Sequence, residues 1–223
     1  MIHGNVTGIR DSVLAELEKL YEMEFERDLF LPDRLLALLV RHTMTLGREL
    51  MVYMTREGSI LEIAVGSIAS VGLPERHLRR NTERLSGIRC IHTHPGGDAR
   101  LSDVDEQALR LLRFDAMCAV GVSDGLATGI SAAFLGEAEY GRLSIVSFGP
   151  VKPGRIPQNL WLHEIDLAER RVEKAIRELD QVEEAEKALI ISTDSEPSLD
   201  ELAALASTAG AIVVARTLQK RKP

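Results

Sequence analysis

The residues with the clearest chemical potential are His92-Thr93-His94-Pro95, then 96–101, then Ser102-Asp103-Val104-Asp105. In an extended strand, residues i and i+2 point to the same side, so His92 and His94 can present two imidazoles to one ion. Pro95-Gly96-Gly97-Asp98 reads as a turn, and Ser102 then opens a helix with Asp105 in its first turn, near the strand end. Two imidazoles and one carboxylate with an open fourth position suit a divalent metal, zinc above all, holding a catalytic water. The ion brings the pKa of that water toward neutrality. A general base must then stand within hydrogen-bond reach. Glu49, at the start of the apolar strand 50–54, is the leading candidate; Glu57 in the following turn and Glu62 in the next strand are the alternatives. Ser102 is placed to donate to the oxyanion of a tetrahedral intermediate. A plainer reading stands beside this one. Ser102-x-x-Asp105 is also an ordinary helix cap, and either histidine alone would pass as a polar strand end. Their spacing across a Gly-rich turn favours the metal.

These residues need elements to hold them. Apolar positions at helical spacing predict helices over 11–24, with Asp11 or Ser12 as cap, and over 33–43 behind Pro32. Apolar runs at 50–54 and 60–65 around a Gly-containing turn predict a β-hairpin. Residues 66–84 read as a strand edge plus a polar, basic loop, with Arg76, Arg79, Arg80 and Arg84 clustered in it. A solvated loop is the default for that cluster, and contact with RNA or an acidic substrate tail the alternative. Strands follow at 87–92, 117–122, 129–135 and 143–148, with a helix over 102–113. The expectation is an α+β domain over 1–148.

The Pro/Gly-rich stretch beginning Gly149-Pro150-Val151-Lys152-Pro153-Gly154 predicts a linker over 149–160. Residues 161–223 then read as a long amphipathic helix over 161–183, which Trp161 anchors on the first domain, followed by strand 187–192, a helix opened by a Ser198-Leu199-Asp200-Glu201 capping box, and strand 212–215. Strand–helix–strand is part of a parallel α/β sheet. Two strands alone are marginal, so the reading is a truncated protein or one docked on a partner.

The 223 residues, 45% of them apolar, suffice for a buried core, and the net charge of −7 gives no global reason to expect DNA or RNA binding. Cys90 and Cys118, each in an apolar run, read as buried free thiols. With neither a signal peptide nor a membrane-length apolar stretch, the expected setting is the cytoplasm. His3, His42, His77 and His163 are isolated and read as surface or structural.

The pattern His-x-His-x7-Ser-x-x-Asp, met by His92, His94, Ser102 and Asp105, resembles the JAMM (MPN) signature. His-Pro-x-Gly-Asp at 94–98 and Arg48-Glu49 are similar to RadC-like proteins in particular. Thr93 stands where those have Asn, and Arg100-Leu101 where they have Thr-Pro; no ligand is lost by either departure. The resemblance implies a cytidine-deaminase-like three-layer domain, one zinc ion on His92, His94 and Asp105, Glu49 as base, Ser102 as transition-state support, and a peptide or isopeptide substrate. A wider resemblance runs along the chain. Ile2-His3-Gly4-Asn5, Gly8-Ile9-Arg10, the stretch from Arg84 to His94, Ser198 to Ala203, Thr208 to Ala211 and Gln219-Lys220-Arg221 are similar to the N-terminal portion of HflX-type GTPases. This implies association with the large ribosomal subunit through a parent protein, the site then being catalytic, structural or vestigial. No G-x-x-x-x-G-K-[ST] occurs, so GTP and Mg2+ would belong only to a GTPase domain that this chain lacks.

Overall fold

The computed structural model describes residues 2–66, 84–139, 141–181 and 187–219. Contacts divide the chain into two compact units, Met1–Arg177 and Glu178–Pro223.

In the first unit, long apolar stretches become the strands of one mixed sheet. The strands are β1 (His3–Gly4), β2 (Leu50–Thr55), β3 (Ile60–Val65), β4 (Ile88–His94), β5 (Ala116–Ser123), β6 (Leu126–Glu139) and β7 (Arg142–Val151). Their order is β1-β3-β2-β4-β5-β6-β7, which puts β4 at the centre. β2 runs antiparallel to β4 and β5 parallel to it. A parallel pair requires a crossover; here it is helix α3 (Asp103–Leu112), so the C-terminal end of β4 and the start of α3 are drawn together.

Helices α1 (Asp11–Glu18), which continues as a 3-10 turn over Lys19–Glu22, and α2 (Asp33–Leu46) precede the sheet core. Arg10, not Asp11 or Ser12, occupies the α1 cap position, and its side chain makes no capping bond. α2 follows Pro32, whose fixed φ suits a helix entrance, and ends at Gly47, which adopts the left-handed conformation that glycine takes without steric cost. Thr93 of β4 meets Thr43 of α2, Oγ1 to Oγ1, at 2.6 Å, whereas its neighbour His92 faces Asp105 of α3. Adjacent strand residues point to opposite faces, so α2 and α3 lie on opposite sides of the sheet.

Helix α4 (Gln158–Gln181) carries Trp161, which is fully buried with its ring edge-on to Phe30 at 5.1 Å, and Phe30 also contacts Phe134 of β6. Beside them Arg89, 1% exposed, donates to the carbonyls of Leu29, Phe30 and Thr55. Burial pulls its guanidinium down to about 10, still protonated at neutral pH.

The Pro/Gly stretch expected as a linker divides differently. Gly149, Pro150 and Val151 are the last residues of β7, and the first half of α4 supplies Trp161, Ile165, Ala168 and Val172 to the main core. The break in contacts falls later, after Arg177. Proline at a strand end removes only one ladder donor, which composition alone does not reveal.

The second unit contains β8 (Lys187–Ser192), α5 (Glu196–Thr208) and β9 (Ile212–Leu218), with the two strands parallel. Ser195 caps α5 by accepting from the Ser198 amide, and Pro197 lies in the first turn, so the helix starts earlier than a cap at Ser198 would give. Ile190, Leu199 and Ala203 form the buried side, while Leu189, Ile191, Ile212 and Val214 are more than half exposed. The chain is thus an α+β protein: among the described residues, a mixed seven-stranded sheet, five α-helices and a small parallel two-stranded sheet. No helix among them is long and apolar enough to cross a membrane.

Removing the buried indole leaves a cavity that rigid neighbours fill only in part. Trp161→Ala is expected to lower unfolding free energy by about 3–5 kcal/mol, measured by urea denaturation; a loss under ~1 kcal/mol would show that α4 is not anchored there.

Candidate metal centre

β4 extends to His94, two residues beyond the expected strand, so both imidazoles leave a regular strand on one face. Their ring centroids are 4.8 Å apart. Asp105 reaches the same place from the first turn of α3, and one donor atom from each of His92, His94 and Asp105 lies within 4.8 Å of the other two. Asp105 Oδ1 stands 3.4 Å from His92 Nε2. Donors around a tetrahedral zinc at 2.0–2.1 Å are separated by roughly that distance.

The Asp105 carboxylate serves two partners. Its Oδ2 accepts from the backbone amide and the hydroxyl of Ser102, both at 2.8 Å, while the Asp105 amide donates back to Ser102 Oγ at 3.3 Å. The helix-cap reading is therefore realised in full, yet Oδ1 is left turned toward His92. Burial would raise the Asp105 pKa, but the interactions with His92 and Ser102 outweigh it and hold the carboxyl at about 2.

His92 is 2% exposed, and at 3.4 Å Asp105 attracts it without the alignment of a hydrogen bond. Both ring nitrogens are buried without a hydrogen-bond partner among the described residues. Buried polar atoms seldom stay unmatched, and an imidazole between a second imidazole and an ionised carboxylate is suited to a cation. His94 is better supported, since its Nδ1 lies 2.7 Å from the carbonyl oxygen of Asp98. Cys90 shares this face, but burial, with the Asp105 charge adding to it, pushes its thiol well above the usual range. Cys90 thus stays a neutral thiol. The donor set is nitrogen and oxygen, which suits zinc and other borderline divalent ions.

Glu49 lies just before β2 and is partly exposed. Met51 pairs with His92 in the antiparallel register, and Gly66 N donates to the Glu49 carbonyl at 2.9 Å, which carries the β2–β3 ladder one residue past Leu50. The β2–β4 register continued to that point sets Glu49 opposite His94, on the same face of the sheet. Thr93 secures this end: its hydroxyl accepts from the Leu50 amide at 3.0 Å and packs on Thr43. The alternatives lie elsewhere. Glu57 is in the turn at the far end of β2, and Glu62 pairs with Tyr53 from β3, two strands away from β4, where it lies 2.7 Å from His3. Ser102 gives its single hydroxyl proton to Asp105, so here it positions a candidate ligand.

Arg84 lies 3.6 Å from Glu173; Arg76, Arg79, Arg80 and His77 fall outside the described residues, as does all of the expected 66–84 segment between its two end residues. His42 is buried and His163 exposed. Sequence reasoning did not find the contributions of Thr93 and Asp98, because both depend on neighbours distant from the motif or on a backbone atom. No protein-family model, curated protein or solved structure matches the chain.

A ligand that binds only the folded state stabilises it by mass action, by about 2.7 kcal/mol at 100 times its dissociation constant. Zinc added to metal-stripped protein should raise the melting temperature, with one equivalent bound by elemental analysis, and His92→Ala should remove both effects. Ser102→Ala should cost about 1 kcal/mol of stability through the cap and roughly 10–100-fold in zinc affinity. Unchanged zinc content in His92→Ala would place the metal elsewhere.

Proposed function

We propose that this chain carries a zinc-dependent hydrolytic site of the JAMM type, acting on an amide or isopeptide bond within a RadC-like, cytidine-deaminase-like three-layer domain. The observation that carries this reading is the convergence of His92, His94 and Asp105 around a buried imidazole whose nitrogens have no hydrogen-bond partner among the described residues. When bound, zinc would supply Lewis acidity that makes a water nucleophilic near neutral pH and polarises a carbonyl. Glu49, which the continued β2–β4 register sets opposite His94, would take a proton from the attacking water and deliver it to the departing amine as the carbon–nitrogen bond breaks. Ser102 orients Asp105; donating to a developing oxyanion would require it to leave Oδ2.

A second reading has its own support. In it the chain is the N-terminal portion of an HflX-type, ribosome-associated GTPase, and the site is structural or vestigial. Parallel sheets are ordinarily covered on both faces, whereas Leu189, Ile191, Ile212 and Val214 leave one aliphatic side of the β8–β9 pair exposed. This favours a second unit that works within a larger assembly.

Glu49→Gln separates the readings. Catalysis predicts that it keeps stoichiometric zinc and loses roughly 10²–10⁴-fold in turnover of a lysine-ε-linked isopeptide substrate. A zinc-loaded wild type that cleaves neither peptide nor isopeptide, yet co-sediments with the large ribosomal subunit whether or not His92 is replaced by Ala, would leave the second reading.

A further inference from the structure

His94 is held by a structure that extends well beyond the metal-site motif. Its Nδ1 lies 2.7 Å from the main-chain carbonyl oxygen of Asp98. A carbonyl can only accept, so Nδ1 carries the proton in this bond, and in the neutral ring the lone pair is then on Nε2. The geometry of the 95–100 turn decides whether this happens, and that turn is fastened at several points. Gly97 N donates to His94 O at 3.1 Å, and Gly97 itself adopts a positive φ of 81°. The Asp98 carboxylate is gripped by Arg100, through Nη2 at 2.8 Å and the backbone amide at 2.9 Å. Across the sheet, Thr128 Oγ1 of β6 donates to the Gly97 carbonyl at 2.5 Å.

This last bond spans β5 and is possible only because β5 is bare there. Gly121, the register partner of His94, has no side chain; a Cβ on it would collide with both the Gly97 carbonyl oxygen and the Thr128 hydroxyl. Gly129, paired with Gly121, similarly leaves only tight space beneath Ala99. Two facing glycines thus let the turn settle onto the sheet, and Thr128 fixes it.

We infer that Thr128 is a positioning residue for the metal centre: by holding the Gly97 carbonyl it keeps the Asp98 carbonyl against His94 Nδ1, and so presents His94 Nε2 as a ready ligand before any ion arrives. The inference rests on the metal reading for its purpose but not for its geometry. Partners that orient a ligating histidine typically account for 10–100-fold in metal affinity.

The test compares Thr128→Val, which keeps shape and loses the hydroxyl, with Thr128→Ser, which keeps it. Thr128 is exposed, so both variants should fold. Long-range proton–nitrogen NMR of metal-free protein should show His94 as the Nδ1–H tautomer in the wild type and in Thr128→Ser. Thr128→Val should gain the Nε2–H form and bind zinc roughly 10–100-fold more weakly, with Thr128→Ser restored to near the wild-type affinity. An unchanged tautomer and affinity in Thr128→Val, or an Nε2–H His94 in the wild type, would overturn the inference. A wild type that takes up no zinc removes the metal reading instead, and the tautomer comparison still decides the role of Thr128.

Discussion

The alternation of side chains along β4 is the constraint on which the site depends. His92 and His94 point to one face and Thr93 to the other. The same three residues therefore offer two donors to α3 and one hydroxyl to α2. A one-residue slip in register would exchange these faces. It is opposed on both flanks, by the antiparallel ladder to β2 and the parallel ladder to β5, and at the far end by Arg89, whose guanidinium gathers three main-chain carbonyls. A central strand buried on both faces is a firm base for two candidate ligands, and sites on such elements hold their geometry better than sites on loops.

The surrounding residues divide the remaining work by distance. The β4–α3–β5 crossover brings Asp105 to the strand end without a long loop, and the capping box fixes the angle at which the helix begins. The β2 register sets Glu49 on the same face of the sheet, from the flank of β4 opposite to β5. His94 is oriented by the turn that follows it, whereas both nitrogens of His92 are buried without a hydrogen-bond partner among the described residues. That inequality marks His92 as the residue with most to gain from a cation.

Much of this was legible in the sequence because it is local. The His-x-His pair needs only strand periodicity, and Ser102 with Asp105 needs only helix-start chemistry. The core strands, the α2 entrance at Pro32 and the burial of Trp161 follow from apolar spacing. What sequence did not reveal depends on neighbours remote in the chain. The Gly149-Pro150 pair has the composition of a linker, but pairing with β6 makes it the end of β7. The start of α5 moved to Ser195 because a proline in the first turn is compatible with a helix, which the Ser198 motif did not register. Thr128 and Gly121 carry no signature at all; only the sheet places them under the turn.

The divided Asp105 carboxylate has a consequence for what an ion bound there would be asked to organise. One oxygen belongs to the helix start and the other faces the imidazole, so the arm that presents the carboxylate is built by the helix itself. In small zinc modules the ion is the organiser, and its removal collapses the chain. Here the carboxylate is aimed by Ser102 and the first turn of the helix, bonds that belong to the chain itself. An ion bound there would not have to organise the helix start, and its loss would leave that turn with its own hydrogen bonds.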